Sequence, residues 1–317
     1  MRDRAALSWN MAFPILVMIG FASIFSGGEQ EYFKVGVMGA GEHPFLQSRY
    51  IHFIPVEGQQ GLAEAITKVE RHQIDLLLQL EPTHRYWINS DSAKGYAVEQ
   101  ILRASGGDEV VRQEVSGEEI RYIDWVIPGV LGMNMMFSAL FGIGFVIVRY
   151  RKNGVLKRFK GTPVTTLEFI SAQIISRLLM IVSMALLVYL TCDLLLDFAM
   201  YGSYLALFVV LVLGGFSLIC LGLIIAARIT SDEVASGLVN LLGMPMMILS
   251  GVWFSLEGSP QWVLYVAQIF PLTHIVDAAR AVMLDGAGII AIAPQLLILG
   301  GMSALFLLLG VWLFRWE

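Results

Sequence analysis

Cysteine, charge and the glycine patterns that bind nucleotides are what this chain has least of. Only two of its 317 residues are cysteine, Cys192 and Cys220, and both fall in or beside apolar runs. That excludes a disulfide framework or zinc-type ligand spacing and reads as two small packing residues. Charged residues make up 15% of the chain against 56% hydrophobic ones, the balance of a polytopic membrane protein. No G-x-x-x-x-G-K-[ST] occurs, so the chain cannot hold ATP in a P-loop. H-E-x-x-H and G-x-S-x-G are missing too, which removes two common hydrolase signatures. Work done by such a chain has to be driven by another chain or by an ion gradient.

What is present is apolar sequence in long runs. About twenty apolar residues cross the hydrocarbon core as a helix. Six runs qualify, at 9–25, 122–148, 167–191, 203–227, 234–254 and 289–314. Pro14 and Pro128 lie in the first two, and Ser231-Asp232-Glu233 supplies an N-cap and early acids for the fifth. The first run lacks a following A-x-A-like site and reads as a retained helix. Residues 257–288 are too apolar for a plain loop. Pro260 and Pro271 divide them into short segments at 261–270 and 273–284, which predicts a re-entrant hairpin.

Residues 149–160, RYRKNGVLKRFK, carry six Lys/Arg and no acid. Basic residues in a short loop mark the cytoplasmic side. Six spans place both termini on that side with Arg2, Arg4, Arg228 and Arg315, while Asp193 and Asp197 lie outside. Residues 28–121 hold fifteen acids against nine bases and then form an outer domain. Strands are predicted at 32–38, 74–80 and 86–89. Helices are predicted at 61–73, from the spacing of Leu62, Ala65, Ile66 and Val69, and at 97–102. This β-α-β-α order suggests a small α/β extracytoplasmic domain. The predicted protein is thus α-helical and polytopic. Residues 1–27 hold the N-terminus and first span, 28–121 the outer domain, and 122–317 spans two to six, with a cytoplasmic loop at 149–166 and an outer hairpin at 257–288.

Several side chains are candidates for function. In the basic loop Val155, Leu156 and Phe159 share one side of a short helix, with Lys157, Arg158 and Lys160 elsewhere and Gly161 and Pro163 ending it. Such a helix suits a cytoplasmic partner, or serves only to orient the chain. Arg177 falls near mid-membrane, where a charge is costly unless paired or hydrated. It is either a polar group in a translocation path or a structural partner for a carboxylate or helix-end carbonyls on a neighbouring subunit. Met135 and Met246 belong to two methionine clusters that suit a cavity for varied apolar ligands, and equally suit ordinary packing. His274, Asp277 and Arg280 share a helical face on the hairpin, where Asp277 and Arg280 can pair. A structural pair is the better reading there, since no nucleophile with a local signature accompanies His274.

Three blocks together resemble the membrane subunit of ABC-2-type ABC transporters, the six-helix permeases of bacterial exporters. They are Trp9-Asn10 with Phe13-Pro14; Asn153-Gly154-Val155-Leu156-Lys157-Arg158 with Thr162-Pro163-Val164 and Leu167-Glu168-Phe169; and Leu249-Ser250-Gly251-Val252-Trp253-Phe254 with Pro260, Trp262, Pro271-Leu272-Thr273, Asp277 and Arg280. The outer domain looks like that of the subgroup with a large extracytoplasmic insertion between its first two helices. The sequence departs at Ser255, where the family usually has proline, and in having only eight residues before Trp9. The resemblance implies a half-transporter in the bacterial cytoplasmic membrane. Residues Asn153 to Phe159 would be its coupling helix on a separate P-loop ATPase, which would bind ATP and Mg. A second permease, identical or a sister chain, would complete the path through the lipid bilayer. An envelope or adaptor protein would be met through the outer domain; nucleic acid would not be a partner, and no cofactor would be held by this chain. The competing readings are a membrane enzyme using His274 and Asp277 at the outer leaflet, and a sensor whose outer domain binds a ligand.

Overall fold

A computed structural model describes residues 32–314, apart from 40, 42, 82, 107–109, 118–119, 230 and 257–258. The predicted first span and the block around Trp9 and Pro14 lie outside the described residues. The chain divides into two compact units, one of residues Gly28–Arg121 and one containing the apolar helices.

The smaller unit is an α/β layer structure. Its strands are β1 (Phe33–Met38), β2 (Ile51–Pro55), β3 (Leu76–Gln79), β4 (Arg85–Asn89) and β5 (Val111–Val115). They form one sheet in the order β2-β1-β3-β4-β5. β1 runs parallel to both neighbours, β3 and β4 are antiparallel, and β4 and β5 are parallel. Helix α1 (Gly58–Glu70) connects β2 to β3, and α2 (Ala93–Ala104) connects β4 to β5. The alternation of a strand's side chains explains the continuous apolar run in β3. Leu77 joins Ala65, Val69 and Trp87 under α1, whereas Leu76 and Leu78 join Tyr86, Ile88, Val98 and Leu102 under α2.

The element order is therefore β-β-α-β-β-α-β, which corrects the predicted β-α-β-α, where the adjacent predicted strands at 74–80 and 86–89 ran together. β2 and β5 are the additions, and both are edge strands. β5, VRQEV, is exposed along nearly its whole length, so no apolar alternation marks it. Within the sheet, Glu99 is buried on α2 and accepts from Tyr86 Oη at 2.7 Å, Arg103 at 2.7 Å and Arg112 Nε at 2.9 Å. Burial alone would raise this carboxyl, but these donors and the positive charges of Arg112 and Arg103 outweigh it and hold Glu99 below the usual range. Burial has the upper hand at Asp75, whose carboxyl is pushed up although it accepts from the Lys34 backbone N–H.

The larger unit is helical: α3 (Tyr122–Lys152), α4 (Val155–Lys160), α5 (Thr166–Leu196), α6 (Tyr204–Ala226), α7 (Asp232–Leu249), α8 (Gln261–Gln268), α9 (Pro271–Met283) and α10 (Ala293–Leu313). Five of them, α3, α5, α6, α7 and α10, are long and apolar enough to cross a membrane. They coincide with the predicted second to sixth runs, although α3 and α5 extend four or five residues further at their C-termini. α8 and α9 meet at a 95° bend and would add a sixth crossing only if counted as one broken span.

α6 lies at the centre and packs on α3, α5, α9 and α10. Small residues let the helices approach: a Cβ on Gly214 of α6 would come within 2.6 Å of the Ile275 side chain on α9. α5 starts with a capping box, Thr165 accepting from the Glu168 N–H while Glu168 accepts from the Thr165 N–H at 2.8 Å.

Candidate functional site

The C-terminal end of α3 carries the basic run. Three turns of core-facing residues, Leu140, Ile143, Gly144 and Ile147, lead onto the same helix face as Arg151. Arg151 is consequently buried although it sits among exposed cations. Its guanidinium donates to the carbonyls of Ala226 and Ala227, each at 2.9 Å, and of Ile229. These are the last carbonyls of α6 and the turn beyond it, which have no partner within the helix. Lys152 adds an ion pair to Asp232 at the start of α7, 2.7 Å away. The end of α3 is thus tied to both α6 and α7. Sequence reasoning missed Arg151, because in a run of cations only its spacing from Ile147 sets it apart.

A left-handed Gly154, with φ of 69°, then turns the chain into α4. Leu156 is fully buried, and Phe159 stacks toward Phe169, which in turn meets Phe314. Asn153, Lys157, Arg158 and Lys160 are exposed, and Val155 and Phe159 are half-buried. The amphipathic reading is therefore resolved into directions: the apolar side is anchored within this chain and the basic side faces outward. Beside it lies a groove of about 720 Å³ lined by Tyr150, Val155, Phe159, Val164, Glu168 and Phe169.

The mid-span candidates separate. Met135 and Met246 are buried in helix packing, with the Met135 methyl close to Gly215 of α6. Arg177 of α5 is half-buried, and its guanidinium lies against Gly142 of α3, within 4 Å of where a Cβ would stand. Its hydrogen-bond partner is the weak acceptor Sδ of Met180, at 3.8 Å.

At the opposite end of α3, Pro271 occupies the first turn of α9, where a missing N–H costs nothing. Buried His274 meets the Gln268 carbonyl through Nε2 at 2.9 Å. Arg280 does not form an ion pair with Asp277, contrary to expectation; Asp277 is exposed. Instead Arg280 donates to Trp125 O at 3.1 Å, Gly251 O at 2.6 Å and Val252 O at 3.4 Å. Its guanidinium carbon also lies 3.5 Å above the Trp125 ring. The carbonyls of Gly251 and Val252, just past the end of α7, and that of Trp125 in the first turn of α3 take its donors instead. Tyr122 Oη donates to Trp253 O at 2.8 Å, and Thr273 Oγ1 donates to Ala267 O at 2.6 Å and shares a hydrogen bond with Ser250 Oγ at 3.0 Å, closing the same knot. Among the described residues no group of three His, Cys, Asp or Glu side chains could hold a metal.

Residues 86–284 match the family model described as ABC-2 type transporter, which is more than half of the chain. The chain belongs to the ABC-2 type transporter family. With five apolar helices of spanning length, it is a multi-pass membrane protein. It is 27% identical over 183 residues to the inner membrane transport permease YhhJ of Escherichia coli (strain K12), covering 57% of this chain and 49% of that one. It is 23% identical over 181 residues to the probable multidrug ABC transporter permease YbhR of the same strain, with the same shares covered. To the daunorubicin resistance ABC transporter permease protein DrrB1 of Streptomyces coeruleorubidus it is 24% identical over 198 residues, covering 61% and 69%. The chain spans about half the length of the first two of these relatives. The ABC-2 match contains the basic segment, Arg177 and the Arg280 knot alike.

Proposed function

We propose that this chain is the membrane-spanning permease subunit of an ATP-driven ABC exporter, moving an amphipathic substrate outward while a separate subunit hydrolyses ATP. The observation that carries this reading is α4: a short helix whose apolar side is locked into its own chain, whose basic side is exposed, and whose base is clamped to α6 and α7 through Arg151 and Lys152. A partner that displaces α4 therefore displaces three spans together. The absence of a P-loop from the sequence agrees with ATP being hydrolysed elsewhere. Residues Asn153 to Phe159 are the coupling segment in this reading, with contact falling to Asn153, Lys157 and Arg158.

The basic run places α4 in the cytoplasm. It follows that both termini are cytoplasmic, residues 28–121 lie outside the bacterial inner membrane, and the α8–α9 bend is a re-entrant hairpin at the outer face. A second permease completes the path. The names of the relatives, which include multidrug and daunorubicin resistance permeases, favour a drug-like or lipid-like cargo. The membrane-enzyme reading is the weaker one, since His274 is engaged by the Gln268 carbonyl and Asp277 is exposed.

The test is co-purification from mild detergent with assay of ATP hydrolysis. Wild type should bring down a P-loop ATPase, and Lys157→Glu/Arg158→Glu should lose it while remaining monodisperse. Leu156 is a poor choice for this test, because its replacement damages the chain's own core. Failure of any ATPase to associate with wild type would count against the permease reading.

A further inference from the structure

We infer that one end of the α/β unit is a docking face for the phospholipid headgroups of the bilayer that the apolar helices cross. The strand registers define that end. Tyr32 and Tyr50 sit together just before β1 and β2, with ring centroids 6.0 Å apart. β1 is parallel to β3, β3 antiparallel to β4, and β4 parallel to β5, so the start of β3 and the ends of β4 and β5 lie at this same end. Asn89, the last residue of β4, ties it together. Its amide donates to Glu70 O at 2.8 Å, where α1 finishes, and to Gly117 O at 3.1 Å, beyond β5. α2 starts here as well, capped by Ser92.

Both connections to apolar sequence therefore leave the unit from one end. Tyr32 follows the predicted run at 9–25, and α3 follows β5 after residues 116–121. Those six residues reach at most about 21 Å when fully extended. So short a tether keeps this end close to the bilayer surface.

The side chains suit that surface. Among the described residues of this unit, the exposed aromatic side chains are Tyr32, Tyr50 and Tyr96, at 58%, 50% and 61% exposure. All lie at the exit end, Tyr96 in the first turn of α2. Tyrosine is at home at a membrane–water boundary, where its ring is buried among headgroups and its hydroxyl stays wet. Arg49, Lys68 and Lys94 are exposed at the same end, beside the exposed Asp91, and cations so placed attract anionic lipid. The turns after β2 and β3, at the opposite end, expose Glu57 and Glu81 and no tyrosine, tryptophan or phenylalanine. The unit is thus polarised along its strands, with rings where the chain leaves and acids at the far end.

The experiment uses the full chain in the Cys192→Ser/Cys220→Ala background. It is placed in nanodiscs of phosphatidylcholine and phosphatidylglycerol in equal parts, some of the phosphatidylcholine carrying a nitroxide on its headgroup. A nitrobenzoxadiazole label on Asp91→Cys reports from the proposed face, and one on Glu57→Cys from the opposite end. Strong quenching at the first position and little at the second is expected. Tyr32→Ser/Tyr50→Ser/Tyr96→Ser should remove most of the quenching at the first. Arg49→Glu/Lys94→Glu should weaken it about fivefold or more, the scale of losing one cation from an anionic surface. Variants are compared only where hydrogen exchange of β3 and α2 matches wild type. Equal quenching at both ends, or quenching unchanged in either variant, overturns the assignment. Disulfide cross-linking of two chains through Asp91→Cys in place of quenching puts a second copy on this end and overturns it too. Because no ATPase takes part, docking can fail while co-purification succeeds, and the reverse.

Discussion

Three arginines in this molecule do two different jobs, and the environment of each guanidinium decides which. Arg151 and Arg280 give their donors to backbone carbonyls at helix ends, whereas Arg177 meets the thioether of Met180 among the described residues. Carboxylates are as sensitive to their surroundings. Glu99 is stabilised as an anion by Tyr86, Arg103 and Arg112, so its folded-state pKa lies below its unfolded one. Its contribution is present above the unfolded value, about 4.3, and is lost as pH falls through the folded value. Glu99→Gln should therefore destabilise the α/β unit by about 1–3 kcal/mol at neutral pH, with the difference shrinking below about pH 4. Hydrogen exchange of the peptides covering β4 and α2, compared at several pH values, measures it. An equal cost at all pH values would mean that the charge on Glu99 contributes nothing.

At the level of elements, the legible parts were long apolar runs and segments with one apolar face. The five long helices and strand β3, buried on both faces, announce themselves as runs, and α4 announces itself by its anchored side. β5 does not, because an edge strand with exposed residues on both faces has no pattern to read. The Arg280 knot is also invisible in the sequence, since the acceptors are carbonyls of Trp125, Gly251 and Val252, far away along the chain. Arg151 was half-legible, as a cation continuing the buried face of α3. The join it makes between α3 and α6 is open to test. Arg151→Met should lower stability in detergent by about 2–4 kcal/mol, because its hydrogen bonds are charge-assisted and buried. Arg151→Lys should recover only part, since a point charge cannot span three carbonyls as a fork does. Thermal unfolding followed by tryptophan fluorescence gives the order wild type, Lys, Met; equal melting of all three would remove Arg151 as the link.

For the whole molecule, the orientation proposed above makes a prediction of its own. In a Cys192→Ser/Cys220→Ala background, a cysteine placed at Ser116 should react with an impermeant maleimide on spheroplasts. One placed at Lys157 should react only after permeabilisation. The opposite result would invert the topology and move α4 away from any cytoplasmic ATPase. The two guanidinium knots also have a mechanical meaning. They sit at the two ends of one 31-residue helix, α3, roughly 46 Å long. A strut riveted at both ends has no free play: tilting one end must tilt the other or shear a rivet. In the exporter proposed above, cargo release at the far face would then keep time with the motor stroke, and a single rivet cut at either end should leave an engine that turns over without moving its load.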